Sequence, residues 1–191
     1  MKTWQVGYLI GSLAKGSINR KLAGALLRLA PPELRFTEIP IGGLPLYSYD
    51  YDKDYPEIAR RFKDAIVKSD AILFVTPEYN RGIPGGLKNA IDWASRPYGS
   101  NAFARKPCAV IGCSTGKIGT AVAQRELHAI LNYCDAVQMT APEAYIQFTK
   151  ELIDDKGTVA DESTRKFLEK FVAAFRTFVK GQGPESQKSA A

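Results

Sequence analysis

Apolar positions along this chain fall into two kinds of run. Apolar-rich stretches of strand length occur at 4–10, 34–39, 71–76, 107–113 and 136–139. They read as strands, and the continuous apolar run 71–75 predicts one buried on both faces of a parallel sheet. Between them, apolar residues recur at helical spacing over 19–30, 56–69, 85–95 and 119–132. Ile58, Phe62, Ala65, Ile66 and Ser69 form one such stripe, and Ala123, Leu127, Ile130, Leu131 and Cys134 another. A last helix is expected over 162–179. Its Phe167, Leu168, Phe171, Phe175 and Phe178 share one face, and a 3.6-residue period reads as core packing rather than a cofactor box. Five strands alternating with helices, without internal repeats, predict a doubly wound α/β domain over 1–180. The stretch 139–160 fits neither period and carries an Asp-Asp-Lys-Gly turn at 154–157, while 181–191 is polar and small enough to read as a disordered tail.

The loops that follow these strands carry the candidate chemistry. Gly11-Ser12-Leu13-Ala14-Lys15-Gly16-Ser17-Ile18-Asn19 leaves the first strand and opens the first helix. Such a loop sets backbone N–H groups and the Ser12 and Ser17 hydroxyls around the positive end of a helix dipole, which suits a phosphate. It lacks the Gly-Lys-Ser/Thr ending of a nucleoside-triphosphate loop and the Gly-x-Gly-x-x-Gly dinucleotide fingerprint. What remains fits a single terminal phosphomonoester such as that of FMN. Ser17 and Asn19 are also the residue types of a helix N-cap. The third strand ends in Thr76-Pro77-Glu78-Tyr79-Asn80, followed by Gly82-Ile83-Pro84-Gly85-Gly86-Leu87-Lys88-Asn89. Ligands of open parallel sheets bind beyond the strand C-termini where the strand order reverses, which in the order 2-1-3-4-5 lies between the first and third strands. The two unusual loops follow those two strands.

Charge and cysteine content narrow the class. Of 191 residues 45% are hydrophobic, and 26 basic against 20 acidic residues leave a net charge of +6. This favours anionic small molecules by steering. The basic residues are scattered without a block or motif, so no nucleic-acid partner is expected. Three cysteines (Cys108, Cys113, Cys134) and one histidine (His128) lack the spacing of a disulfide framework or a zinc site. Reduced thiols in a cytoplasmic protein are therefore expected, with no metal. The first ten residues faintly mimic a signal peptide, but their apolar core is broken by Gln5, and no run approaches the ~18 apolar residues of a membrane span.

Three segments together resemble the NADPH-dependent FMN reductase family, in its bacterial quinone and chromate reductase branch. They are Gly-Ser-Leu-Ala-Lys-Gly-Ser-Ile-Asn at 11–19, Pro-Glu-Tyr-Asn at 77–80 and Pro-Gly-Gly-Leu-Lys-Asn-Ala-Ile-Asp-Trp at 84–93. Gly112-Cys113-Ser114-Thr115-Gly116-Lys117-Ile118-Gly119 matches in position after the fourth strand. The resemblance implies a flavodoxin-like three-layer sandwich with a five-stranded parallel sheet in the order 2-1-3-4-5. It also implies FMN as cofactor, with NADPH or NADH as co-substrate. Ser12, Ser17 and Asn19, with the N–H groups of Leu13 and Ile18, would hold the phosphate. Pro77, Glu78, Tyr79 and Asn80 would run along the isoalloxazine, and Ser114 and Gly116 would approach its other side. Position 14 is Ala where many relatives carry Arg, and Lys15 and Arg20 are nearby cations that could replace that charge.

The resemblance further implies hydride transfer through the flavin, to a quinone or to a chromate, azo or nitro acceptor, with no side-chain acid or base. Arg81 is the candidate to meet an anion at the mouth of the site. Glu78 could instead orient a subunit contact, Lys88 and Asp92 could be a surface pair, and Cys113 reads as a structural thiol. A homodimer or homotetramer is expected, with the helix after Pro84 at the interface and Trp93 either there or in the core. Two rivals remain: a flavodoxin-type electron carrier, and a regulator that binds a nucleotide at 112–119.

Overall fold

The computed structural model describes residues 2–182. β1 (Trp4–Ile10) leads into α1 (Ile18–Leu29) and β2 (Leu34–Glu38); α2 (Glu57–Lys68), β3 (Ala71–Val75), α3 (Gly85–Ser95), β4 (Pro107–Ser114) and α4 (Ala121–Tyr133) follow. β5 (Val137–Gln138), β6 (Tyr145–Gln147) and α5 (Glu162–Gly181) complete the chain. The strands pair in parallel in the order β2-β1-β3-β4-β5, as expected for helix crossovers. β1 and β3 are neighbours while their connections run to opposite sides, so the switch point falls between them.

The fifth position of the sheet corrects the sequence reading. The strand expected over 136–139 is only Val137–Gln138, paired with Pro107 and Cys108. The ambiguous stretch supplies β6, which pairs Tyr145, Ile146 and Gln147 with Gly112, Cys113 and Ser114 on β4. One strand position is thus shared by two short segments, giving six strands rather than five. Pro142 lies between them, and a residue with no N–H interrupts a ladder. At the helix ends, α1 begins at Ile18 and α4 at Ala121, while α5 runs on to Gly181. The tail expectation otherwise falls on 183–191, outside the described residues.

Alternation along the strands divides the core in two. Val6, Ile10, Leu73, Val75, Ala109 and Ile111 face the layer of α1 and α5, where they meet Leu22, Leu26, Phe171 and Phe175. Leu9, Ile72, Phe74, Cys108 and Val110 face α2, α3 and α4, against Phe62, Ile66, Leu87 and Leu127. With helices on both sides, the central strands β3 and β4 carry no polar face, whereas the edge strand β2 exposes Arg35 and Thr37. The phenylalanine stripe of α5 is core, as the period predicted. Trp93 also lies in the core: it is fully buried, donates Nε1–H to the Pro45 carbonyl (2.7 Å), and meets Tyr47 and Tyr55 edge-on at 5.1 and 4.9 Å.

Candidate functional site

The loop after β1 leaves the sheet with several of its donors unengaged. Gly11 N–H still bonds the Val75 carbonyl at 2.8 Å, and a Cβ at Gly11 would lie 2.9 Å from Thr76 Oγ1, so the β1 and β3 loops start in contact. Ser17 caps α1, its Oγ accepting from Arg20 N–H at 3.4 Å, and Ser12 Oγ accepts from Ala14 N–H at 3.3 Å. Both hydroxyls are largely buried, whereas Leu13, Ala14, Lys15 and Gly16 are exposed. The N–H groups of Leu13, Ile18 and Asn19 have no acceptor among the described residues, and α1 has no acidic residue in its first turn. Unengaged donors at a helix N-terminus, without a carboxylate, fit a phosphate.

Asn19 is placed differently from its expected role. It is 1% exposed; its Nδ2 donates to the Cys113 carbonyl (2.9 Å), and its Oδ1 accepts from Cys113 N–H (3.0 Å). Two residues earlier, the Ile111 carbonyl still receives Thr76 N–H from the β3 side. β3 then turns away, and the Asn19 amide replaces the missing strand. Its side chain therefore ties α1 to β4 and positions the loop. Arg20 is likewise engaged, forking onto Glu38 at 2.9 Å through both terminal nitrogens. Of the two cations considered as substitutes at position 14, Lys15 is exposed and unpaired among the described residues.

The loop after β3 turns on Tyr79 and Gly82, whose backbone groups bond each other in both directions at 3.0 Å. Asn80 and Arg81 between them have φ of 53° and 64°, the left-handed pair of a type I′ turn. Tyr79 is half exposed at the tip. The Glu78 carboxylate points back into the protein, where it accepts N–H bonds from Val122 (3.0 Å) and Ala123 (3.1 Å) at the start of α4. Arg81 pairs with it at 2.8 Å while keeping a side chain that is 68% exposed.

The loop after β4 is closed on itself. Ser114 Oγ donates to the Gly119 carbonyl at 2.5 Å and accepts from Gly116 N–H at 3.2 Å. Gly112 is forced by a close approach, since a Cβ there would lie 2.0 Å from the Thr76 carbonyl oxygen. Gly116 is different: its nearest neighbour to a Cβ would be Ser114 Oγ at 3.6 Å, so nothing inside the protein demands glycine. It leaves room for an external group to reach the backbone. The N-terminus of α4 is already filled by Glu78, which leaves the nucleotide-regulator reading of 112–119 without its anion site. The remaining candidates are structural. His128 Nδ1 lies 2.7 Å from Gln138 Oε1, joining α4 to β5, and Lys88 and Asp92 form an ion pair at 2.8 Å. Burial pushes the Cys113 thiol up to about 12. No metal-binding cluster is found among the described residues.

Comparison with known proteins decides what these loops belong to. The profile of the NADPH-dependent FMN reductase family matches residues 4–151. The chain belongs to that family. It is therefore an oxidoreductase with FMN as cofactor and a nicotinamide co-substrate, and the electron-carrier reading falls away. A 2-hydroxy-1,4-benzoquinone reductase from a Burkholderia species is 49% identical over 176 residues, 92% of this chain and 96% of that protein. A quinone reductase from Pseudomonas putida is 47% identical over 180 residues, 94% and 96%. Among solved structures, FerB, a flavoenzyme NAD(P)H:(acceptor) oxidoreductase from Paracoccus denitrificans, superimposes with a TM-score of 0.91. It is 49% identical, covering 95% of this chain and 100% of that one.

Sequence reasoning placed the three loops at strand ends, and it did not give the side-chain partners of Asn19 and Glu78. The partners of Asn19 and Glu78 lie 94 and 44 residues away, and no local pattern announces them. Glu126 was missed altogether; its Oε2 accepts from Ile83 N–H at 2.8 Å and holds the end of the β3 loop.

Proposed function

We propose that this chain is an FMN-dependent NAD(P)H:quinone reductase, with chromate, azo or nitro compounds as further acceptors. The observation that carries the reading is the set of unengaged N–H donors at the α1 N-terminus, beside the buried Ser12 and Ser17 hydroxyls, at the β1–β3 switch point. Ser12, Ser17 and the N–H groups of Leu13 and Ile18 would hold the FMN phosphate, with Asn19 fixing their position from behind. Backbone groups of Pro77, Glu78, Tyr79 and Asn80 would line one edge of the ring, and Ser114 and Gly116 the other. The chemistry that bound FMN supplies is two-electron transfer, taken as hydride from NAD(P)H and passed to the acceptor in ping-pong order. None of the proposed ligands is a free acid or base, which suits chemistry carried by the cofactor. Arg81, exposed at the turn tip, would meet the nicotinamide cofactor's phosphates or an oxyanion acceptor.

The chain is further proposed to work as a homodimer or a pair of dimers, in the cytoplasm. The support for association is the set of exposed apolar side chains Val122, Ala129 and Tyr133 on one side of α4. The support for the compartment is three free, buried cysteines. No helix among the described residues is long and apolar enough to cross a membrane.

The test is an absorbance spectrum of the purified protein followed by anaerobic NADPH. Flavin bands near ~370 and ~450 nm that bleach on addition are expected. A colourless protein that takes up no added FMN would overturn the reading. Ser12→Ala and Ser17→Ala should each weaken FMN binding by roughly tenfold, the worth of a hydrogen bond to a charged group.

A further inference from the structure

The segment 78–83, which would line the flavin, takes its anchoring hydrogen bonds from neither of the elements it connects. It is held by α4. At its start, the Glu78 carboxylate accepts two N–H bonds from the first turn of α4, at 3.0 and 3.1 Å, and its side chain is only 6% exposed. Those two donors need an acceptor from elsewhere, because the N-cap residue Thr120 makes no side-chain cap. Its hydroxyl is taken by Gln124 Nε2 at 2.8 Å. A carboxylate at that position also complements the helix dipole. At the other end of the segment, Glu126 from the second turn of α4 accepts Ile83 N–H at 2.8 Å. It lies so close over Gly82 that a Cβ there would stand 2.7 Å from its Oε2. Between the two anchors sits the type I′ turn, closed on itself and strained by positive φ at Asn80 and Arg81.

We propose that Glu78 is a positioning residue for the flavin site, acting with Glu126 to clamp residues 78–83 onto α4. This rests on the FMN reading given above. The clamp fixes where the Pro77–Asn80 backbone stands relative to the β4 loop, and so the width of the cleft between them. It also turns the one carboxylate in this segment away from the cleft, paired with Arg81 and with helix N–H groups. In a family whose chemistry is carried by the cofactor, the protein contributes through such placement.

The full-length protein tests this with Glu78→Ala, Glu78→Gln and Glu126→Ala. Two measurements apply: amide hydrogen exchange of the FMN-free protein, and FMN titration followed by flavin fluorescence and the visible spectrum. In Glu78→Ala, exchange at Val122, Ala123, Tyr79 and Gly82 should accelerate, and FMN affinity should fall about tenfold with a shifted flavin band. Glu78→Gln keeps an oxygen acceptor and should recover part of the affinity. Glu126→Ala, on the helix surface, should loosen the same turn and weaken FMN by about threefold; it carries the test if Glu78→Ala does not fold. Faster exchange at Val122 and Ala123 with wild-type FMN affinity and spectrum would make Glu78 a helix cap only, and would overturn the proposal. Wild-type protein that binds no FMN would instead overturn the cofactor reading, while the exchange data would still show whether the clamp exists.

Discussion

Asn19 shows how much of this site depends on single polar contacts made across the fold. Its buried amide satisfies both backbone groups of Cys113 at the point where β3 leaves β4. Asn19→Ala leaves a buried N–H and a buried carbonyl without partners, and each such group costs about 1–3 kcal/mol. The expected result is a loss of about 2–4 kcal/mol in urea unfolding, together with weaker FMN binding, because α1 is no longer fixed to β4. A loss below about 0.5 kcal/mol, the range of surface substitutions, would show that the loop stands without this contact. Arg81 differs in kind, since one edge of its guanidinium is committed to Glu78 and the rest is free in solvent. Arg81→Gln keeps a long side chain and leaves Glu78 bound to α4. It should lower kcat/KM for NADPH and for chromate by roughly threefold, in keeping with one exposed charge, and leave a neutral quinone nearly unaffected. Equal losses for all acceptors in single-turnover reoxidation would point to a disturbed turn instead of a lost charge.

Among the elements, what could be read from sequence follows the range of the forces involved. Continuous apolar strands, periodic helices and small residues at strand ends are local signals. They located the strands, the helices and the three loops, while the strand order came from the family resemblance. β6 has three residues and no period of its own, and it exists because the β4 edge beyond Cys108 needs a partner after Pro142 has interrupted the first one. Helix starts were displaced by one or two residues for a related reason: the cap that decides them can come from a distant carboxylate, as at α4. The tie between β2 and α1 is another contact that only the fold discloses. Glu38 ends β2, and Arg20 in the first turn of α1 forks onto it while Tyr8 on β1 donates at 3.4 Å. The Arg20 hydrogen bonds hold the Glu38 carboxyl below the usual carboxylate range against a smaller opposing effect of burial. A carboxyl whose pKa is depressed by folding contributes stability above its unfolded value and loses it as pH falls through the folded one. Wild type should thus exceed Glu38→Gln in stability at neutral pH, by less than about 1 kcal/mol because both partners are partly exposed. The difference should close as the pH is lowered from about 5 to 3. A pH-independent difference in thermal melts would assign the effect to packing.

At the scale of the molecule, α4 connects the candidate site to the outer surface. Its inner face packs through Leu127 and Leu131, its first turns hold the β3 loop through Glu78 and Glu126, and the rest of its outer face is exposed. Val122, Ala129 and Tyr133 lie there on the same side as Glu126 and are exposed, Tyr133 at 82%. A groove of about 400 Å³ runs beside them against α3, lined by Ile91, Ile130, Tyr133 and Cys134 together with the Lys88–Asp92 pair. Exposed apolar side chains at helical spacing on a solvent face, next to a groove that mixes apolar and charged lining, suit a self-complementary contact in which the face of one copy meets the groove of the other. The protein should therefore sediment as a dimer or larger at micromolar concentration. Tyr133→Lys should raise the dissociation constant at least about tenfold, as removal of a central aromatic anchor does. Because the same helix clamps the flavin-side loop, the monomeric fraction should also hold FMN less tightly than the dimer. Dilution of the wild-type protein should then release flavin in step with dissociation, which fluorescence and sedimentation can follow on one sample. If wild type is monomeric at these concentrations, or if Tyr133→Lys dissociates without any change in flavin retention, the outer face of α4 has no part in the site.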